Sequence, residues 1–280
     1  MLCPVTKTQN TSPVSSADTF PSKGKALILP ERSILMKIEL CCGSFSDAMT
    51  AYRNGADRVE LCSCIYFGGL TPTLSSFTLL KEKTGIETAV MIRPREGGFC
   101  YTDEEFEIML RDGDEFIKRG ADALVFGFLT ADGYIDEEKT ARFMAMIDSR
   151  CESVFHKAFD VCKDGLIEGA EKLKKLGITR ILTAGKEKTA IDGIENLRKL
   201  MELGGIDILP CGSVRVHNLR EIAGKTGAKW VHTSAFEPTF DTSANNEDIS
   251  FTPTKPAQQG EYPSANGDVV KNVVDIAKKI

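Results

Sequence analysis

Clustered positive charge is missing from this sequence: 35 Lys and Arg stand against 40 Asp and Glu, a formal net charge of −5. Nucleic acid and anionic membrane surfaces both call for basic patches, so the chain predicts neither as a partner. No apolar run approaches the ~20 residues that span a bilayer. Met1-Leu2-Cys3-Pro4 lacks the positive flank and apolar stretch of a signal peptide. The Cys-x-x-Cys spacing common in zinc sites, a dinucleotide-binding fingerprint and a P-loop are absent as well. Cysteine is not scarce, but nine is an odd number, and without a secretory leader it argues against a disulfide framework. The expectation is a cytoplasmic protein with reduced thiols, which bind soft metals, act in catalysis or simply pack.

What the chain does have is apolar residues at 42% and charged residues at 27%, enough for a sizeable core in a soluble protein. Residues 1–35 are rich in Ser, Thr and Pro without periodicity and read as a flexible leader, with Met36-Lys37 as a second start. From Met36 one pattern recurs: Asn54-Gly55-Ala56-Asp57-Arg58-Val59, Arg119-Gly120-Ala121-Asp122-Ala123-Leu124, Leu176-Gly177-Ile178-Thr179-Arg180-Ile181 and Thr226-Gly227-Ala228-Lys229-Trp230-Val231. Each string predicts a helix closed by a left-handed glycine and a short loop into a buried strand. Strands are expected at 37–41, 58–62, 87–93, 123–128, 153–157, 180–183, 206–210 and 229–233. The clearest helix runs from Asp103 to Arg119, with acidic residues at its start and Gly120 at its end. About eight alternating β and α units predict a closed parallel (β/α)8 barrel in a single domain spanning 36–280, with an open doubly wound sheet as the competitor. Residues 236–266 look like a long irregular segment, and 267–280 like a helix that closes the barrel wall.

The site is sought at the carboxyl ends of the strands, where parallel α/β folds bind ligands. One string occurs twice there, as Glu39-Leu40-Cys41 and Glu60-Leu61-Cys62, and the two-residue period aims each carboxylate and thiol the same way. Arg93, Arg95, His156, Lys157, Asp160, Thr183, Cys211, Gly212, His232 and Ser234 fall at or just beyond other strand ends. Arg93 is expected to neutralise Glu39 and Glu60, either in a structural network or beside a general acid/base pair assisted by His156 and Asp160. Arg93 and Arg95 as anchors, Lys157 and Thr183, with Gly212, His232 and Ser234 near the last two strands, would hold a small anionic metabolite. Cys41 and Cys62 are expected at one depth on adjacent strands, where two thiols suit Cu(I) better than Zn(II), although a buried cysteine also serves as a small hydrophobe. A Cys-His pairing of Cys62 or Cys211 with His156 or His232 lacks a local signature.

Taken together, Glu39-Leu40-Cys41, 54–63, Gly68-Gly69-Leu70-Thr71-Pro72, Met91-Ile92-Arg93-Pro94-Arg95, Phe99-Cys100-Tyr101, Phe155-His156-Lys157-Ala158-Phe159-Asp160 and His232-Thr233-Ser234-Ala235 resemble the CutC copper-homeostasis family. The resemblance covers Met36 to Ala235. It implies a TIM-like barrel, a cytosolic location, homo-oligomers in some members, and a role in Cu(I) binding or copper tolerance with Cys41 and Cys62 as the copper thiols. No reaction comes with it, so a barrel enzyme acting on a small anionic metabolite stands as the second expectation.

Overall fold

The computed structural model describes residues 36–244, 249 and 260–280. The expected leader at 1–35 lies outside the described residues, as do 245–248 and 250–259.

Eight strands alternate with helices: β1 (Lys37–Cys42), α1 (Phe45–Arg53), β2 (Arg58–Leu61), α2 (Leu74–Thr84), β3 (Glu87–Met91), α3 (Asp103–Lys118), β4 (Ala123–Phe126), α4 (Glu137–Ile147), β5 (Glu152–Phe155), α5 (Ala158–Val161), α6 (Leu166–Lys175), β6 (Arg180–Thr183), α7 (Ile194–Leu203), β7 (Asp207–Pro210), α8 (Leu219–Thr226) and β8 (Trp230–Ser234). All pair in parallel in the order β7-β6-β5-β4-β3-β2-β1-β8, which is a TIM-like barrel and not a doubly wound sheet. The seam between β7 and β8 has contacts but no ladder, and Thr233 Oγ1 crosses it to the Val214 carbonyl at 2.7 Å. The glycines of the four repeated strings, Gly55, Gly120, Gly177 and Gly227, have φ of +83°, +89°, +83° and +71°. A side chain is strained there, which is why glycine recurs at the turn from helix to strand.

Strand residues divide by parity into two cores. Ile38, Leu40, Val59, Leu61, Leu124, Phe126, Phe155 and Ile181 pack outward among the helices. Ala89, Met91, Ala123, Val125, Val154, Leu182 and Leu209 fill the barrel. Helix α3 begins with a reciprocal cap, in which Thr102 accepts from Glu105 N–H and Glu105 accepts from Thr102 N–H.

At the amino end of the strands the filling is ionic. Arg58, with a fully buried side chain, binds Glu39 Oε2 (2.6 Å), Glu152 Oε2 (2.6 Å) and Glu87 Oε1 (3.2 Å). Arg180 joins Glu152 to Asp207 at 3.3 and 3.4 Å. The guanidinium groups of Arg58 and Arg180 lie 4.9 and 5.2 Å from the ring centre of Trp230. This plug closes the end of the barrel opposite the mouth.

The segment after Ala235 departs from the irregular reading at both ends. Phe236–Phe240 (β9) and Glu261–Ala265 (β10) form an antiparallel hairpin, and Ala265 N–H donates to buried Asp47 on α1 at 2.7 Å. A proline inside each strand, Pro238 and Pro263, hides this pairing, because proline argues against a strand even where Phe236, Pro238 and Phe240 share one face. The final helix, α9 (Gly267–Ala277), buries Val270, Val273, Val274 and Ala277 against the wall.

Candidate metal centre at the barrel mouth

Parity places Glu39, Cys41, Glu60 and His232 inside the barrel, and parallel register sets their neighbours. Glu39 pairs with Arg58 on one side and His232 on the other, while Cys41 pairs with Glu60 and Ser234. Cys41 and Cys62 are therefore not register partners at one depth. Cys62 is the next inward residue beyond β2, and its amide bonds to the Cys42 carbonyl.

His232 links the two carboxylates. Its Nδ1 donates to Glu39 Oε1 at 2.7 Å, and its Nε2 lies 3.8 Å from Glu60 Oε2. Glu39 also holds Arg58, so although burial favours its neutral form, the Arg58 and His232 charges keep it ionised with a pKa of about 2. Glu60 has no such partner. Burial raises it to about 8, the charges of Cys41 and Glu39 add to the rise, and only His232 opposes it. The Cys62 thiol donates to the Glu60 carbonyl and Oε2 at 3.8 and 3.6 Å, and its nearness to Cys41 lowers that thiol to about 5 against burial, with help from His232. Cys62 itself is pushed well up by the neighbouring Cys41 sulfur and by burial. Burial disfavours a charged His232, but Glu60, Cys41 and Glu39 together raise it well above its ordinary range. At neutral pH the centre is thus a thiolate and an imidazolium beside an ionised Glu39 and a protonated Glu60. The ligand atoms of Cys41, Glu60 and His232 all lie within 4.8 Å of one another.

The centre opens into two connected lobes. One, of about 270 Å³, is lined by Cys41, Glu60, Cys62, Cys211, Gly212, His232, Ser234 and Phe236. The other, of about 300 Å³, shares Cys41, Glu60 and His232 and adds Met91, Arg93, Phe99 and His156. Lys157 lies on the rim of both.

Several expected roles change. Arg93 does not neutralise Glu39 or Glu60; its guanidinium donates to the carbonyls of Phe67, Gly69 and Gly97 at 2.8 to 3.0 Å. The neutraliser of Glu39 is Arg58, two residues before Glu60 and on the same face of β2, a parity the sequence displays. Arg95 is no anion anchor, because Glu105 (2.5 Å) and three loop carbonyls take its donors. Asp160 is not poised for proton transfer: it accepts from Thr183 Oγ1 and from the amides of Ala184 and Lys186, fastening the loop after β6. Thr183 is fully buried in that contact and lines neither lobe. Cys211 is buried, and burial first, then the Asp160 charge, raises its thiol well up, which leaves it unsuited as a nucleophile. His156 is held neutral, with burial and the nearby Arg93 charge lowering it to about 3.

A TIM-like barrel with a half-buried cysteine and histidine converging on a buried glutamate at its mouth defines the class. Residues 36–237 match the CutC family, and the chain belongs to that family. It is 43% identical over 204 residues to a CutC family protein of Treponema denticola, covering 72% of this chain and 82% of that one. It is 38% identical over 247 residues to the human copper homeostasis protein cutC homolog, covering 87% and 89%. The crystal structure of the putative copper homeostasis protein CutC of Streptococcus agalactiae matches with a TM-score of 0.66 at 33% identity, over 70% of this chain and 97% of that one. Deoxyribose phosphate aldolase of Aeropyrum pernix, at 14% identity and a TM-score of 0.53, shares the fold.

Proposed function

We propose that this protein serves copper homeostasis by binding Cu(I) in the cytosol at the mouth of its barrel. The observation that carries the reading is the convergence of Cys41, Glu60 and His232 within 4.8 Å, with Cys62 lining the same cavity and its thiol hydrogen-bonded to Glu60. The donor chemistry fits: Cu(I) is soft, Cys41 is already a thiolate, and Cys62 supplies a second sulfur on losing its proton. His232 Nε2 can complete the set after deprotonation, with Nδ1 fixed by Glu39 as a supporting carboxylate. Glu60 is a hard oxygen donor that burial holds protonated at neutral pH, so it suits Cu(I) poorly as a ligand.

Competition against a Cu(I) chelator tests this. Cys41→Ser/Cys62→Ser is expected to weaken Cu(I) binding by more than about tenfold, since losing even a supporting residue of a metal site has that effect. Equal affinity in parent and double variant would sink the reading.

A further inference from the structure

The lobe that holds Arg93 and His156 has features that copper ligation leaves unused. His156 is 4% exposed, and its Nδ1 accepts from the Ala158 amide at 3.1 Å. An accepting Nδ1 carries no proton, so the neutral ring has its hydrogen on Nε2. That atom is buried without a hydrogen-bond partner in the protein. Arg93 is 5% exposed, and among the described residues its hydrogen bonds run to three carbonyl oxygens and none to a carboxylate. Its Nε is also buried and unpartnered. A buried cation without a counter-charge and a buried donor without an acceptor are both costly, and both line one cavity.

We infer that this lobe binds a small organic carboxylate, one oxygen accepting from His156 Nε2–H and the negative charge set against Arg93. The N–H groups left free on Arg93 and His156 match a planar anion with two oxygens, and Lys157 at the rim adds positive charge against the acidic Cys41 and Glu60 side of the lobe. A phosphate, with three terminal oxygens and up to two charges, would be left underserved, because loop carbonyls take three of the five N–H donors of Arg93. Met91, Leu182 and Phe99 give apolar walls for the carbon skeleton, and the Phe99 ring packs against His156 at a tilt with centroids 4.7 Å apart. Cys41, Glu60 and His232 line the same lobe, so the acid would sit beside them. The inference stands without copper binding.

The probes are acetate, pyruvate and inorganic phosphate, added to the full chain at constant ionic strength. The readout is the side-chain nitrogen NMR signal of His156, assignable because the chain has three histidines. A saturable shift of Nε2 with acetate or pyruvate, and a weaker response to phosphate, is expected. His156→Leu should weaken carboxylate binding by about tenfold or more in calorimetry, and His156→Gln, which restores an N–H donor, should recover part of it. The inference is overturned if neither carboxylate shifts the parent signal, if phosphate binds as tightly, or if His156→Leu binds like the parent. Cu(I) affinity measured on the same samples separates the two proposals: copper binding without a carboxylate shift defeats this one alone, and a carboxylate shift without copper binding supports it.

Discussion

His232 stands between two buried carboxylates in opposite states: Nδ1 is 2.7 Å from ionised Glu39, and Nε2 is 3.8 Å from Glu60, which is protonated at neutral pH. The difference comes from Arg58, which reaches Glu39 and not Glu60. One guanidinium thus decides which carboxylate anchors the ring and which is left to exchange a proton.

Arg58→Ala is expected to destabilise the fold by about 3–5 kcal/mol, because it leaves Glu39 charged and buried without its partner. Glu39→Gln/Arg58→Met removes both charges and should cost less than the single change. Urea unfolding followed through Trp230, the single tryptophan, measures both. A double variant less stable than Arg58→Ala would overturn this account.

Cys41 is expected to be alkylated by iodoacetamide already at pH 6, above its pKa of about 5, with the rate falling as pH drops through that value. His232→Asn removes a cation that lowers Cys41 and should move the midpoint upward. Mass spectrometry of the labelled peptide identifies the site against the exposed Cys64 and Cys100.

Stability against pH should expose Glu60. Cys41 falls from 9.0 to about 5 on folding, so its contribution is present above 9 and lost as pH falls toward 5. Glu60 rises from 4.5 to about 8, so its contribution is present below 4.5 and lost as pH rises through 8. Between pH 5 and 8 the two slopes oppose each other. Glu60→Gln removes the second, so the stability of the variant relative to the parent should rise with pH across that window, by up to about 1 kcal/mol per unit. A flat difference would mean that Glu60 is ionised in the folded protein.

Gly127→Ala tests the packing behind His156. A Cβ there would lie 2.6 Å from the His156 ring and 2.8 Å from Ala158 Cβ. Overpacking of about 1–3 kcal/mol is expected, as a lower Tm together with a displaced His156 NMR signal.

The strand positions, and the inward aim of Glu39, Cys41, Glu60 and His232, were legible because they depend on local periodicity. The hairpin of β9 and β10 was not, since each strand carries an internal proline and the polar 236–266 stretch resembles a loop. Arg95 and Asp160 were drawn into the site because a strand-end position shows proximity to the mouth without showing where the side chain turns. Their partners, Glu105 and the loop after β6, belong to other elements.

The sequence by itself determined the repeating αβ unit, through glycines at the helix ends and apolar runs behind them, and the face on which each strand residue lies. Tertiary structure alone decided the pairings: Cys41 against Glu60 instead of Cys62, Arg58 instead of Arg93 for Glu39, and His232, from the far end of the chain, between the two carboxylates. Those pairings depend on strand stagger and tilt in the barrel, which the packing of all eight strands sets together. The charge on each group follows from the neighbours that stagger supplies.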